Sequence, residues 1–288
     1  MADLPLQNKP AVAFLGPLGT YTHQAAYEKF GADVEYIEKN SIAEVFDSLS
    51  TTVNIGMVPQ ENSIFGPVIE TYDCLRRDDP IFVRDEIVLA IQHCLIVRKG
   101  VKLSDIDCVM SHEQALGQCR LFIEKHLPHA SLKKTPSTSA AAKALLTSPL
   151  TCAAICSKAC LTVFDGLDML NEGIQDQHSN FTRFYVVAKP SNNVPSMTER
   201  RTRALLRLSV DVTNKSASIM TLLAALRKDC ISRVDRRPAL DNVPFHDIYF
   251  VELDSMAEQS QDIWQSELER GLERVRLAGG AGKLLGIW

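Results

Sequence analysis

Thr182 and Arg183 stand where the polar stretch Gln175-Asp176-Gln177-His178-Ser179-Asn180 runs into the apolar segment Phe184-Tyr185-Val186-Val187. A hydroxyl beside a guanidinium at the mouth of a buried strand can hold a planar carboxylate and donate a hydrogen bond to a neighbouring oxygen. The same pair fits a plain strand edge whose arginine snorkels to water. Three further stretches also put polar groups at the exit of an apolar run. Gly16-Pro17-Leu18-Gly19-Thr20-Tyr21-Thr22 follows Ala11–Leu15, Gln60-Glu61-Asn62-Ser63 follows Ile55–Pro59, and Ser111-His112 follows Cys108–Met110. The glycines of the first let the backbone turn tightly, and Thr20 or Thr22 can cap the following helix, leaving N–H groups aimed at an anion. The Gly-Lys-Ser/Thr ending of a phosphate loop is missing. In open α/β sheets ligands bind beyond the carboxyl ends of strands, so these ends begin to describe one crevice.

The elements that must position these groups follow from pattern. A helix begins near Ser41, another runs from about Pro67 to Arg76, and Glu86–Val97 reads as a long strand crossing from one lobe to another. Past Lys99-Gly100 the pattern restarts as a second α/β unit. Ser111 is a natural N-cap for a helix ending near Leu127, Ser137-Thr138-Ser139 caps the helix Ala140–Leu146, and Cys152–Cys156 is a small-residue strand before another helix. Pro190 to Thr202 reads as an exposed linker, its basic run Arg200-Arg201-Thr202-Arg203 solvated. Beyond it come strand-like Ala204–Val212, helical Ser216–Arg227, strand-like Ile231–Asp235 and Phe245–Leu253, the amphipathic helix Gln261–Leu277 and the apolar strand Lys283–Trp288. That βαββαβ order is ferredoxin-like.

Composition excludes several classes. The 288 residues are 45% hydrophobic and 23% charged, as in a soluble globular protein of two or more domains. A net charge of −4 with a sequence pI near 6.0 argues against a nucleic-acid footprint. Met1–Pro10 carries neither a signal-peptide pattern nor a membrane span, so a cytoplasmic location is expected. The eight cysteines form no C-x-x-C pair; Cys152, Cys156 and Cys160 recur at helical spacing and Cys74, Cys94, Cys108 and Cys119 have apolar neighbours, which reads as reduced core thiols.

Along nearly its whole length the chain resembles the prephenate dehydratase family. The motifs that carry the resemblance are Gly16–Thr22, Val58-Pro59-Gln60-Glu61-Asn62-Ser63, Ser111-His112-Glu113-Gln114-Ala115-Leu116 and Asn180-Phe181-Thr182-Arg183-Phe184. The resemblance implies an α/β fold: a two-lobed catalytic domain like a type II periplasmic binding protein over residues 1–190, with lobe 1 at about 8–90 and 174–190 and lobe 2 at about 91–173. A linker at 191–202 and a ferredoxin-like ACT regulatory domain over 203–288 complete it. The implied reaction is decarboxylative dehydration of prephenate to phenylpyruvate. Because the ring gains aromaticity, no cofactor and no metal are implied.

In this resemblance Thr182 is the key hydroxyl for the leaving oxygen, and Arg183 is a carboxylate clamp. Thr20, Asn62, Ser63 and Ser111 hold the remaining oxygens, Gln175 and Asn180 shape the cleft, and Phe184 completes the substrate-binding set. His112 or Glu61 is the reserve acid, or else His112 orients a helix start and Glu61 accepts backbone N–H bonds. L-phenylalanine is the implied effector, bound by Ala217-Ser218-Ile219 and Asp235-Arg236-Arg237-Pro238 in a homodimer or homotetramer; no nucleic acid or membrane takes part. The usual Gly-Ala-Leu and Glu-Ser-Arg-Pro motifs are altered at these two places, which should weaken the effector. Gln60 and Glu113 also depart from the pattern without removing a catalytic group. An arogenate dehydratase, or a non-catalytic amino-acid-sensing binding protein, is the alternative.

Overall fold

The computed structural model describes residues 9–50, 52–177, 179–190, 192, 201–214, 217–226, 230–255 and 261–288. Most of the expected linker, together with His178, Ser216 and Arg227, lies outside the described residues. In chain order the elements are β1 (Ala11–Leu15), α1 (Tyr21–Phe30), β2 (Glu35–Lys39), α2 (Ile42–Ser48), β3 (Ile55–Asn62), β4 (Gly66–Pro67), α3 (Ile69–Leu75) and β5 (Phe82–Ala90). There follow β6 (Cys94–Arg98), β7 (Cys108–Ser111), α4 (Glu113–Gln118), α5 (Arg120–His126), β8 (Ser131–Lys134), α6 (Thr138–Leu145), β9 (Cys152–Cys156), α7 (Cys160–Val163), β10 (Leu167–Glu172) and β11 (Phe181–Ala188). The last are β12 (Arg203–Val210), α8 (Ile219–Ala225), β13 (Ile231–Pro238), β14 (Asp247–Asp254), α9 (Gln261–Leu277) and β15 (Gly280–Ile287). The chain forms two compact units, one of residues up to Val68 with Ile87–Phe184, the other of Ile69–Glu86 with Tyr185 onward.

The first unit holds two sheets. In one, β1 lies between β2 and β3 in parallel register, Val12 opposite both Tyr36 and Ile55, and β11 flanks β3. The other has the order β10-β6-β9-β7-β8. Its strand β9, Cys-Ala-Ala-Ile-Cys, is buried throughout. Ala153 and Ile155 pack with Leu116 and Ile123 on one face, while Ala154 and Cys156 pack with Ala141 and Leu145 on the other. A short run apolar on both faces is what a strand covered by helices on each side requires.

Two expectations need correction here. The strand expected over Glu86–Val97 breaks at Ile91-Gln92-His93, where β5 ends and β6 begins. The helix expected from Ser111 is instead capped by His112, whose Nδ1 accepts from the Gln114 N–H at 3.3 Å, and it is interrupted at Cys119. Ser111 is the last residue of β7, and its hydroxyl donates to the Ile155 carbonyl.

In the second unit the strands run β13-β14-β12-β15, all antiparallel, with Leu222, Leu226, Trp264, Leu268 and Val275 of the two helices packed on Leu206, Leu208 and Val251. This is the expected ferredoxin-like unit. Its helix-free face carries α3: Tyr72 stacks on Phe250 at 5.0 Å, Arg237 grips the Asp73 carboxylate, and Arg207 donates to the Arg76 and Arg77 carbonyls. β15 then pairs with the start of β5, Gly286 opposite Val83. Sequence pattern put Ile69–Glu86 with the first lobe, but these contacts tie the segment to the C-terminal sheet.

The closeness of β15 and β5 rests on Gly286, where a Cβ would sit 2.2 Å from the Val83 carbonyl oxygen. Gly286→Ala is expected to cost about 1–3 kcal/mol, as overpacking does. Urea unfolding checks it; an unchanged midpoint would show that the two strands part without cost.

Candidate active site

β3 and β11 lie side by side and deliver their polar ends to one place. The Asn62 side-chain amide, at the end of β3, donates to Asn180 Oδ1 at 2.7 Å and to Thr182 Oγ1 at 2.9 Å. Its own Oδ1 accepts from the N–H groups of Ile64 at 3.0 Å and Phe65 at 3.1 Å, so the turn into β4 is built on the same side chain. Ser63 reinforces the join: its N–H donates to the Phe181 carbonyl at 2.8 Å and its hydroxyl accepts from the Phe181 N–H at 2.9 Å. Both Asn180 and Thr182 are buried.

Beyond this junction opens a cavity of about 430 Å³, walled by Asn62, Asn180, Thr182 and Phe184 from the first lobe and by His112, Gln114, Ser137 and Thr138 from the second. A second cavity of about 330 Å³ shares Phe65, Gln114, Gln118 and Asn180 with it and adds Gln175 and Asp176, making one cleft. Among the described residues that line the two, none is Lys or Arg. Positive potential comes instead from helix starts. α6 opens onto the cavity at Ser137 and Thr138; Ser137 Oγ takes the Ala140 N–H at 3.0 Å, and the Thr138 and Ser139 N–H groups have no helical acceptor. An apolar part of the wall is made by Pro59, Phe65, Ile91, Ala115 and Phe184, and Tyr21, Thr22, His93 and Gln118 add polar groups.

The loop between β1 and α1 buttresses the cleft without lining it. Three side chains of the second lobe reach it: Ser139 donates to the Leu18 carbonyl, and Ser157 (2.7 Å) and Cys160 (3.3 Å) donate to that of Gly19. A Cβ at Gly19, where φ is +85°, would meet Cys160 Sγ and Ser139 Oγ at 2.9 Å, so only glycine fits.

Of the residues the motifs single out, Asn62, His112, Gln175, Asn180, Thr182 and Phe184 line the cleft. The others do not line these cavities. Thr20 is spent on α1, accepting from the His23 N–H and donating to the Leu15 carbonyl. Ser63 is engaged at the strand junction and Ser111 donates to the Ile155 carbonyl. Arg183 lies between Thr182 and Phe184 on β11 and Glu61 between Gln60 and Asn62 on β3, and neither lines these cavities. The resemblance made Arg183 a carboxylate clamp, a role that these cavities, which it does not line, do not test.

The effector residues form two groups with β14 between their strands. Ala217 precedes Ser218, which caps α8 by accepting from the Thr221 N–H at 3.2 Å, and Ile219 opens the helix. On β13, Asp235 accepts from the Tyr72 hydroxyl at 2.8 Å and from Arg233, and Arg237 is held by Asp73. Arg236 pairs with Asp247 from the other face, and Pro238 ends the strand, its carbonyl taken by Arg76.

The expected site residues did not include His93 and Gln118, nor Tyr21 and Thr22 of the first motif, all of which also line the cleft. His93 is a lone histidine after an apolar run, and no local pattern distinguishes it. Burial lowers its pKa, against the Gln118 hydrogen bond, and burial pushes the Tyr21 hydroxyl well above its ordinary value, with nearby thiols adding to the rise.

Comparison with known proteins follows the same lines. A model of the family "Prephenate dehydratase" matches residues 12–192. The bifunctional chorismate mutase/prephenate dehydratase of Escherichia coli K12 is 30% identical over 285 residues, covering 96% of this chain and 70% of that protein. The crystal structure of a prephenate dehydratase from Arthrobacter aurescens in complex with L-Phe superposes with a TM-score of 0.78 at 28% identity, over 96% of this chain and 89% of the other. A quorum-quenching acylase of a novel type gives 0.76 at 20% identity over 96% and 97%, which shows a shared fold alone.

The two buried histidines make a pH prediction. His23 accepts the Gly19 N–H on Nδ1 at 3.2 Å, and burial lowers its pKa below 6.5, opposed by Glu38; His93 is lowered likewise. Below pH 6.5 the unfolded chain takes up protons that the folded one resists, so stability falls with pH, by at most ~1.4 kcal/mol per unit per histidine. Urea midpoints at pH 7.5 and 5.5 should differ in that sense, less so in His23→Gln. A flat wild-type profile over that window would contradict the neutral buried rings.

Proposed function

The chain belongs to the prephenate dehydratase family, and we propose that this cleft turns prephenate into phenylpyruvate, carbon dioxide and water. In that reaction the bond from ring to carboxylate breaks, its electron pair enters the ring, and the ring hydroxyl leaves with a proton as water. One proton is consumed, so a donor must stand at the departing oxygen. The observation that supports Thr182 in this role is the hydrogen bond from Asn62 Nδ2. A hydroxyl oxygen that accepts from Asn62 has its own hydrogen free to point into the cavity, and Thr182 is on the wall. Threonine is a weak acid, so its part is to stabilise charge developing on that oxygen and to pass on a proton, with His112 across the cavity as the relay.

The two carboxylates of the substrate need opposite treatment. The one retained in the side chain suits the N-terminus of α6, where N–H groups and the dipole favour an anion. The one lost as carbon dioxide gains from poor solvation, and the apolar wall of Pro59, Ile91, Phe184 and Phe65 would provide it. A guanidinium there would hold the ground state more tightly than a transition state losing its charge. The absence of Arg and Lys among the described residues of the wall therefore fits decarboxylation.

All eight cysteines are free thiols, which supports a cytoplasmic enzyme. The domain limits in this reading are a catalytic part to about residue 190 and a regulatory part from about 203, with Ile69–Glu86 of the former grouped with the C-terminal unit. Its edge strand β13 turns Val234 and Arg236 outward, and pairing of such edges would give the homodimer or homotetramer. L-phenylalanine is the inhibitor in this reading, but its ammonium must compete for Asp235 with Tyr72 and Arg233.

Thr182→Ala is expected to fold and to lose about 10²- to 10⁴-fold in kcat/KM with prephenate, whereas Thr182→Ser keeps much of it. Near-normal turnover in the alanine variant would remove Thr182 from the chemistry. For regulation, Arg236→Ser combined with Ala217→Gly should lower the inhibitory phenylalanine concentration by about tenfold, equivalent to ~1.4 kcal/mol. Initial rates at increasing phenylalanine measure it, and identical curves would show that these side chains do not govern the site.

A further inference from the structure

Three segments of the first unit meet at His93, and the chemistry above makes no use of it. We propose that His93 is a positioning residue for the dehydration: its imidazole ties the two lobes together at the hinge and sets the width of the cleft in which Thr182 meets substrate. This rests on the dehydratase reading for its kinetic consequence, but its mechanical part stands on the geometry alone.

His93 sits in the break between β5 and β6, where the chain first passes from one lobe to the other, and Ile174 and Gln175 sit where it passes back. The two passages are stitched together. The Ile174 N–H donates to the His93 carbonyl at 3.0 Å, the His93 N–H to Gln175 Oε1 at 2.9 Å, and the Ile91 N–H to the Asn180 carbonyl at 2.8 Å. The last of these fixes the residue whose side chain Asn62 holds.

The ring then reaches both ways. Nδ1 is 2.7 Å from the Tyr21 hydroxyl, on α1 of the first lobe, and Nε2 is 2.7 Å from Gln118 Oε1, on α4 of the second. An amide oxygen only accepts, so Nε2 carries the hydrogen, and bare Nδ1 accepts from Tyr21. The side chain is 3% exposed, and burial, which lowers its pKa, keeps the ring in this neutral form. The two nitrogens of a planar ring diverge at a fixed angle, so the imidazole works as a rigid spacer between the helices. Opening the lobes must break at least one of the two bonds. Tyr21, His93 and Gln118 all stand on the cleft wall, so a change in spacing there moves the wall itself.

The alternative is a buried histidine that merely satisfies its neighbours and fills space. Variants separate the two. His93→Asn keeps an amide near the place of Nδ1 and can hold Tyr21; His93→Gln keeps one near Nε2 and can hold Gln118; neither spans both. A positioning role predicts that His93→Ala, His93→Asn and His93→Gln all lose kcat, by up to about 10²-fold as misplaced groups do, with much smaller changes in KM. Tyr21→Phe and Gln118→Ala each cut one tether, so their combination should lose little more than the worse single variant. A space-filling role predicts lowered thermal stability with kcat within twofold of wild type, and additive effects in the pair; either result overturns the proposal. Should His93→Ala not fold, Tyr21→Phe removes one oxygen only and decides the matter by the same kcat criterion, the Gln92 carbonyl at 3.1 Å being a second, longer acceptor for the same Tyr21 hydrogen. Should the wild-type protein be inert with prephenate, the dehydratase reading fails separately. Hydrogen exchange of the full chain then tests the tether: Tyr21→Phe should speed exchange of the His93 and Ile174 N–H groups at the hinge by about tenfold or more, and unchanged exchange there overturns it.

Discussion

The side-chain amide of Asn62 is the bond on which the cleft depends. One end of it donates to Asn180 and Thr182, which lie more than a hundred residues away in sequence, and the other accepts the two N–H groups that shape the turn carrying Phe65. An amide is the side chain that can do both at once, since its NH2 only donates and its oxygen only accepts. Aspartate in its place would set a second acceptor against Asn180 Oδ1 and leave that buried group unpaired. By donating to Thr182 the amide also decides which way the threonine hydroxyl can point. Structure and chemistry therefore hang on the same donor.

The absence of Lys and Arg from the described residues lining the cleft gives it an electrostatic character suited to losing a carboxylate rather than keeping one. Partial charges at the start of α6 can orient a retained anion, while the apolar stretch of wall leaves a second anion poorly solvated. The same fold in an acylase at 20% identity shows that the architecture alone does not choose the reaction. In the proposed reading the reaction is chosen by the groups at the ends of β3 and β11.

Much of this was legible in the sequence. Polar residues at the exit of an apolar run mark the carboxyl end of a strand, and in this way Asn62, Asn180, Thr182 and His112 could be read without coordinates. The ferredoxin-like order was readable for the same reason, since each element has its own period. Arg183 shows where that reading stops: it is next to Thr182 in the chain, yet it does not line these cavities. Ser111 shows another limit, because a serine before a helical pattern can end a strand as easily as cap a helix, and here the Ile155 carbonyl claimed it. His93 and the pairing of α3 with the C-terminal sheet depend on contacts between segments far apart in sequence, which no local pattern encodes. Asp73 and Arg237, for instance, are ordinary surface charges until the fold brings them to 2.7 Å.

The central claim, that this cleft acts on prephenate, is tested most directly by incubating the purified wild-type protein with prephenate and, separately, with arogenate, whose amine replaces the keto group, and following the products. The account predicts phenylpyruvate and carbon dioxide in equal amounts from prephenate. Phenylalanine formed readily from arogenate while prephenate remains untouched would contradict it.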